Sequence, residues 1–417
     1  MKDILLKNKP VIFKNNNFQS IQIRLFFPYE RNENEYALSD LLLSIIQNTS
    51  LKYPTEEDFR LQEQKLYILN SFCYNSIIGD TCYFVMNLSI PNKSILNKDL
   101  YEEQLKFFSE MIYNPKVKNK NFDFDEVERE KTNLRNRIEK INNDSESYAI
   151  MKARELVDDV GLLSGCTYNH PEQIDLINTS NLYEFYYKNI YNNQPAIYVM
   201  GDVCEDEFGK LCSKYLLKRN FRDKHIKINL NYLKPRSTIS NIIENSNFKN
   251  SVIVYLYKII DMSLNDVVTL NTVNNLLSSM SSRLLNKKLR DENDLVYSSH
   301  VILDEEYGVF GVYALINKDN EDIVREKIVE VINDLKDEKL ITPLLNNIKE
   351  RFRVSLIRNL DFKGCVFKNY IIEDSGIDYT DSLYYEKLKN ITAKDISLFI
   401  DRLVLDTTYF LREDYNE

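Results

Sequence analysis

Ile177-Asn-Thr-Ser-Asn-Leu182-Tyr-Glu-Phe185 and Ile391-Thr-Ala-Lys-Asp-Ile396-Ser-Leu-Phe399 are two versions of one pattern, and that pattern decides the fold. In each, an apolar residue precedes a helix start rich in Ser, Thr, Asn or Asp, and apolar side chains return at equivalent places along the helix. Each helix then runs into a strand, Ala196-Ile-Tyr-Val-Met200-Gly-Asp202 in the first and Thr407-Thr-Tyr-Phe-Leu411-Arg-Glu413 in the second. The copies lie 214 residues apart at the helix and 211 at the strand. The chain of 417 residues is therefore read as two repeats of roughly 200 residues each.

The remainder of each copy keeps one order. An alternating strand opens it, with Ile21, Ile23, Leu25 and Phe27 in the first copy and Val252, Val254 and Leu256 in the second. A helix follows, Ala37 to Gln47 in the first and Val267 to Arg290 in the second, where Leu270, Val273, Leu277, Met280 and Leu284 recur at helical steps. Strands are expected at Cys82 to Ile90, Tyr297 to Leu303 and Val309 to Leu315. Paired helices come next, Asp99 to Tyr113 with Phe124 to Ile141, and Asp322 to Leu335 with Pro343 to Leu360. Residues 205–247 are richer in Lys, Arg and Asn and carry no long period, so they read as a linker with a helix at its start, Asp206 to Leu217. The expected division is an N-terminal domain over 1–204, the linker over 205–247 and a C-terminal domain over 248–417. The fold class is α+β, two similar units of antiparallel or mixed sheet covered by helices.

Composition bounds the function. With 43% apolar, 12% aromatic and 28% charged residues, the chain is too apolar for a disordered polymer and long enough for two or three domains. The net charge of −9 argues against a nucleic-acid backbone as partner and leaves basic or neutral peptides open. No run approaches the roughly 18 apolar residues of a spanning helix, and Lys2 stands within Met1-Lys-Asp-Ile-Leu-Leu-Lys7, where an exported chain carries apolar residues. The six cysteines (Cys73, Cys82, Cys166, Cys204, Cys212 and Cys365) include no Cys-x-x-Cys pair, which suits reduced thiols and a cytoplasmic protein.

Motif chemistry is sparse. His170, His225 and His300 have no second histidine nearby, and no His-x-x-Glu-His or His-x-x-x-His occurs. Phosphate-binding glycine loops and the Gly-x-Ser-x-Gly elbow are absent from a chain with nine glycines. One junction stands apart: Ser281-Ser-Arg-Leu-Leu-Asn-Lys-Lys-Leu-Arg290 ends a helix, Asp291-Glu-Asn-Asp294 makes a polar turn, and Leu295-Val-Tyr297-Ser298 begins a strand. Arg290 and Tyr297, seven residues apart, are candidate donors to a peptide carbonyl or an oxyanion. The plainer account is an arginine at a helix C-terminus beside an ordinary strand tyrosine.

At this junction the sequence resembles the insulinase/pitrilysin family of zinc peptidases, including the mitochondrial-processing-peptidase type. Ser281-Ser282-Arg283-Leu284, Leu289-Arg290 and Leu295-Val296-Tyr297 carry the resemblance, with Phe124-Asp-Glu-Val-Glu128-Arg129 similar to the family's Glu-Arg helix and Ile197-Tyr-Val-Met-Gly201-Asp202 similar to its Val-Gly-Asp strand. The likeness implies half of a clamshell, built as two homologous α/β units, around a peptide chamber. It also implies departures. Where the family carries its inverted zinc motif, the stretch from Tyr36 to Tyr53 holds neither histidine nor the glutamate base, and the position seven residues after Glu128 is Arg135, a cation where an anionic ligand belongs. Leu277-Ser278-Ser279 stands in place of a glycine-rich stretch.

Within the family, Ser50-Leu-Lys-Tyr53-Pro-Thr-Glu56, Lys65-Leu-Tyr67, Glu128 to Ile138 and Leu405 to Arg412 resemble a bacterial non-catalytic subunit type linked to the 5-aminopentanol modification of elongation factor P. Such subunits pair with a metal-bearing homologue. The resemblance therefore implies no metal in this chain, zinc in the partner, and Arg290 and Tyr297 as substrate-binding residues supplied in trans. A peptide-binding scaffold with no role in proteolysis is the alternative.

Overall fold

The computed structural model describes residues 2–30, 32, 35–158, 170–218, 222–280, 282–376 and 378–414. Ser281 and Cys166 lie outside the described residues. Among the described residues no helix is long and apolar enough to cross a membrane.

The chain forms two compact units: Met1–Ile138 with Cys166–Leu230 and Phe367–Ile377, and Glu139–Gly165 with Asn231–Val366 and Asp378–Glu417. The first unit is built on strands Val11–Lys14 (β1), Ser20–Glu30 (β2), Asn70–Ile78 (β3), Thr81–Pro91 (β4) and Ala196–Gly201 (β5), in the order β1-β5-β2-β4-β3. The second uses Ser240–Ser246 (β6), Ser251–Ile259 (β7), Val296–Asp304 (β8), Val309–Ile316 (β9) and Leu403–Glu413 (β10), in the order β6-β10-β7-β9-β8. The two orders are identical. β1 runs parallel to β5 and β6 parallel to β10, while every other neighbour is antiparallel. The sheets are mixed, and the repeat read from the sequence is the repeat of the fold.

The quoted stretches explain why. Asn178 accepts hydrogen bonds from the N–H groups of Ser180 and Asn181, and Asn181 answers from its side chain, a complete capping box ahead of the helix Thr179–Tyr186. Thr392 and Asp395 build the same box ahead of Ala393–Ile400. In both, the residue before the cap (Ile177, Ile391) and the fourth helical residue (Leu182, Ile396) are buried, so the entry of the chain is fixed twice over. Each helix then delivers β5 or β10 beside the long alternating strand β2 or β7.

Along β2, Ile21, Ile23, Leu25 and Phe27 are fully buried under the helices Tyr36–Ile46 (α1), Tyr101–Tyr113 (α2) and Phe124–Asn142 (α3). Each of these side chains contributes about 1.5–3 kcal/mol of hydrophobic stabilisation. In the second unit, Ile253, Tyr255 and Tyr257 of β7 pack against Val267–Ser278 (α4), Glu321–Asp334 (α5) and Glu338–Asn359 (α6). The opposite face of that sheet, Val252, Val254 and Leu256, buries Ala149, Ala153 and Val157 of the helix Ser145–Val157.

Three elements differ from expectation. The helix expected over Val267 to Arg290 stops at Ser278, because Ser282 donates its hydroxyl to Asn275 O at 2.8 Å and Arg283 takes a left-handed φ of 44° before a new turn begins at Leu284. The helix expected to start at Pro343 starts at Glu338, where Asp337 caps it by accepting from the N–H groups of Lys339 and Leu340. Residues 205–247 hold a helix, Glu205–Leu216, and two strands, Lys224–Ile228 and β6, the first of which pairs antiparallel with Lys2–Leu6.

Candidate functional site

Arg290 sits in a wide helical turn, Lys287–Asp291, that follows Leu284–Asn286. Leu285 and Leu289 are buried in the core and Lys288 reaches Glu330 at 3.3 Å and Asp334 at 3.2 Å on α5, so the turn is pinned on its inner side. Arg290 is left on the solvent side. Its carbonyl accepts from Asp294 N at 2.9 Å, and Leu295 N bonds to Leu289 O at 2.9 Å, closing the loop from which β8 departs. Asn286 accepts from the Ser299 hydroxyl at 3.0 Å, which ties the turn to the strand.

Tyr297 is the second residue of β8, the outermost strand of its sheet. Val296 pairs with Ile316 and Ser298 with Leu315, so Tyr297 is the extra residue of a β-bulge, which turns its side chain out; it is 57% exposed. Arg290 and Tyr297 thus flank one closed loop at the start of an edge strand. Among the described residues neither side chain has a hydrogen-bond or ion-pair partner. Two donors on a fixed frame are equipped to hold an oxygen acceptor.

The first unit holds the position at which the family resemblance places a metal. The helix α1 is buried along most of its circumference through Ala37, Leu41, Leu42, Leu43, Ile45 and Ile46. Its only carboxylate, Asp40, accepts from the Asn75 side chain at 3.0 Å. Across from it on α3, the counted position Arg135 turns to Asp175 at 2.5 Å, and Arg137, two residues on, is the cation that approaches α1, 3.5 Å from the Ser44 hydroxyl. Sequence counting missed Arg137; its place on the α1-facing side of the helix was the available signal.

Glu126 and Lys131 of α3 are engaged within the unit. Glu126 is buried against the Thr49 hydroxyl, and burial, outweighing that bond, pushes its carboxyl above the usual range. Lys131 bonds Glu128 at 2.9 Å and the carbonyl of Ile177 at 3.1 Å. His170 stacks on Tyr36 with ring centroids 6.2 Å apart. Among the described residues no three His, Cys, Asp or Glu side chains gather where they could hold a metal ion. A leucine-lined helix facing a guanidinium does not fit zinc, which requires three or four deprotonated N, S or O ligands.

Residues 177–351, from the first capping box to the middle of α6, match the family model described as the Peptidase M16 inactive domain. Over that stretch the chain is similar to the M16 peptidases. The chain is 20% identical over 415 residues to the "Probable inactive metalloprotease YmfF" of Bacillus subtilis, a match covering 96% of this chain and 95% of that protein. A solved structure of a conserved protein from Enterococcus faecalis superposes with a TM-score of 0.88 at 21% identity over the whole of both chains. A protease from Helicobacter pylori superposes with a TM-score of 0.76 at 16% identity over 99% of both. At such identities the superpositions establish the fold, the mixed two-unit α+β arrangement expected from the repeat.

Proposed function

We propose that the chain is the non-catalytic subunit of a two-chain metallopeptidase, and that it presents Arg290 and Tyr297 to a peptide held by a catalytic homologue. The supporting observation is the state of those two side chains, exposed and without a polar partner among the described residues, on a turn that Leu285, Leu289 and Lys288 hold in place. Arg290 donates guanidinium N–H groups to the substrate carbonyl oxygen and Tyr297 donates its O–H. Both bonds strengthen as that oxygen gains negative charge, so they favour the transition state over the bound substrate. The matched inactive-domain family and the name of the Bacillus relative, a probable inactive metalloprotease, support a chain without peptidase activity of its own. Zinc and the general base are assigned to the partner.

The reading is tested by turnover of the reconstituted pair. Arg290→Ala or Tyr297→Phe is expected to lower kcat on the order of 10²-fold, the usual effect of removing one oxyanion donor. Near-wild-type turnover in both variants sinks the proposal. The net charge of −9 favours a basic, extended peptide, and Cys73, Cys82, Cys204, Cys212 and Cys365, which form no disulfide among the described residues, suit a reducing cytoplasm. Maturation of ribosomally made peptides and modification of elongation factor P are the two pathways proposed, to be separated by mass spectrometry of what copurifies from the native host.

A second reading has its own observation. β3 is an edge strand with Phe72 and Tyr74 each 40% exposed and stacked on each other, a surface suited to an extended peptide added as a further strand. A scaffold of this kind leaves the rate of a metal-bearing partner unchanged on mixing.

A further inference from the structure

The second face of the first unit's sheet differs from its counterpart in the repeat. In the second unit the corresponding face of β7 is Val252, Val254 and Leu256, all fully buried. In the first unit that face of β2 carries Gln22, Arg24 and Phe26. Arg24 lies directly opposite Asn87 on β4 and Tyr198 on β5, and Asn87 lies opposite Phe72 on β3, so one row crosses four strands as Tyr198, Arg24, Asn87, Phe72.

Four polar atoms of this face are buried with no hydrogen-bond partner among the described residues: Gln22 Oε1, Arg24 Nε, Tyr83 OH and Asn87 Nδ2. Tyr83 and Asn87 are themselves more than nine-tenths buried. Arg24 makes no ion pair or hydrogen bond among the described residues. Its contact is with the Phe367 ring, 5.0 Å from the guanidinium carbon. Burial lowers its pKa, and the one nearby group opposing that shift is the Tyr74 phenol. A carboxylate does reach this side of the sheet on the Lys363–Ser375 helix, but Asp374 is held by Lys7 at 2.5 Å and by the Tyr198 hydroxyl.

Buried charges in proteins are paired, because an ion taken from water without a counter-ion is strongly disfavoured. Arg24 is a largely desolvated cation whose neighbours on this face, Gln22 and Asn87, each carry a buried polar atom without a partner among the described residues, and it is only partly exposed, so a ligand reaches it from one side. The donors present, a guanidinium and an amide N–H, match a carboxylate, which accepts several bonds at once. The stacked rings of Phe72 and Tyr74 stand on the same face at the sheet's edge, two strand spacings or about 10 Å from Arg24.

We propose that Arg24 and Asn87 form a carboxylate-binding site on this face of the first unit, and that the ligand is a polypeptide carboxylate delivered beside the aromatic pair Phe72 and Tyr74. The carboxylate replaces the water lost by the guanidinium, and the aromatic pair takes an apolar side chain of the same segment. The site is independent of Arg290 and Tyr297, which belong to the other unit.

The test uses the full chain and short fluorescein-labelled peptides containing one phenylalanine, read by fluorescence anisotropy. One peptide has a glutamate and an amidated C-terminus, a second has glutamine and a free C-terminal carboxylate, and a third has glutamine and an amidated end. Tighter binding of the first than the third, by about tenfold and weakened by salt, identifies a side-chain carboxylate as the ligand; the same gain in the second identifies a chain terminus. Arg24→Met is expected to abolish the gain, Arg24→Lys to keep part of it, and Asn87→Leu to reduce it. Equal binding of all three peptides, or a gain that survives in Arg24→Met, overturns the proposal. Stability supplies a second readout: removing an unpaired desolvated cation is expected to raise the thermal midpoint of the unliganded chain, and a lower midpoint in Arg24→Met shows a structural partner and overturns it as well.

Discussion

Lys258 and Asp406 are fully buried in the second unit, 3.3 Å apart, and Arg236 completes the cluster by donating its backbone N–H and its Nε–H to the same carboxylate at 3.1 Å. Two cations around one anion make Asp406 the residue whose loss is felt most. Asp406→Asn leaves Lys258 buried beside a neutral amide and is expected to destabilise the unit by about 3–5 kcal/mol, seen as a lower denaturant midpoint. The pH dependence has a definite sign. Burial pushes the Asp406 carboxyl up, but Arg236 and Lys258 outweigh it and hold the pKa below the ordinary 3.8. The cluster therefore contributes fully above the unfolded value and its contribution is lost as pH falls through the lower folded one. The wild type should lose stability in that acid range more steeply than Asp406→Asn, and parallel curves would contradict the assignment. Roles at this scale were only partly legible in the sequence. Arg290 and Tyr297 stand in a spaced motif, whereas Arg24 and Asp406 owe their state to strands distant in the chain, and no local pattern announces a cation without its counter-ion.

Helices and strands were legible where the chain states its own boundaries. The boxes Asn178 with Asn181 and Thr392 with Asp395 close through bonds within three residues, so the repeat was visible without any tertiary information. Asn178→Ala and Thr392→Ala should each cost about 1 kcal/mol, and because the boxes lie in separate units the double variant should cost their sum. Thermal unfolding of the three variants checks this; a double-variant loss far from the sum would mean that the boxes are coupled. The break after Ser278 was hidden for the converse reason. Leu277, Met280 and Leu284 keep helical spacing, but Met280 is 88% exposed and the hydroxyls of Ser279 and Ser282 compete for backbone and side-chain bonds that a continuous helix requires. Pro343 read as a helix start, and the preceding turn was overlooked because a proline at the sixth helical position forfeits only one backbone bond while Asp337 secures the true beginning.

The division of the chain into units does not follow the division into repeats. Ser145–Val157 belongs to the second unit although it lies in the first repeat, and Phe367–Ile377 belongs to the first unit although it lies in the second. A period in the sequence reports which segments are alike, not which pack together, so this exchange was not legible. It has an energetic consequence. In the first unit Phe367 is fully buried against Arg24 and near Phe13, Tyr370 stacks on Phe13 with centroids 5.0 Å apart, and Asp374 pairs with Lys7. A fragment ending at Leu230 lacks all three, and burial of the Phe367 side chain alone is worth about 1.5–3 kcal/mol. Each 1.4 kcal/mol is a tenfold change in an opening equilibrium, so amide exchange along β2 in the fragment should run on the order of 10²-fold faster than in the full chain. Adding a synthetic peptide spanning 363–376 should restore part of the protection, because the missing contacts are those of that helix. Equal protection in fragment and full chain would show that the first unit holds its sheet without the segment from the second repeat.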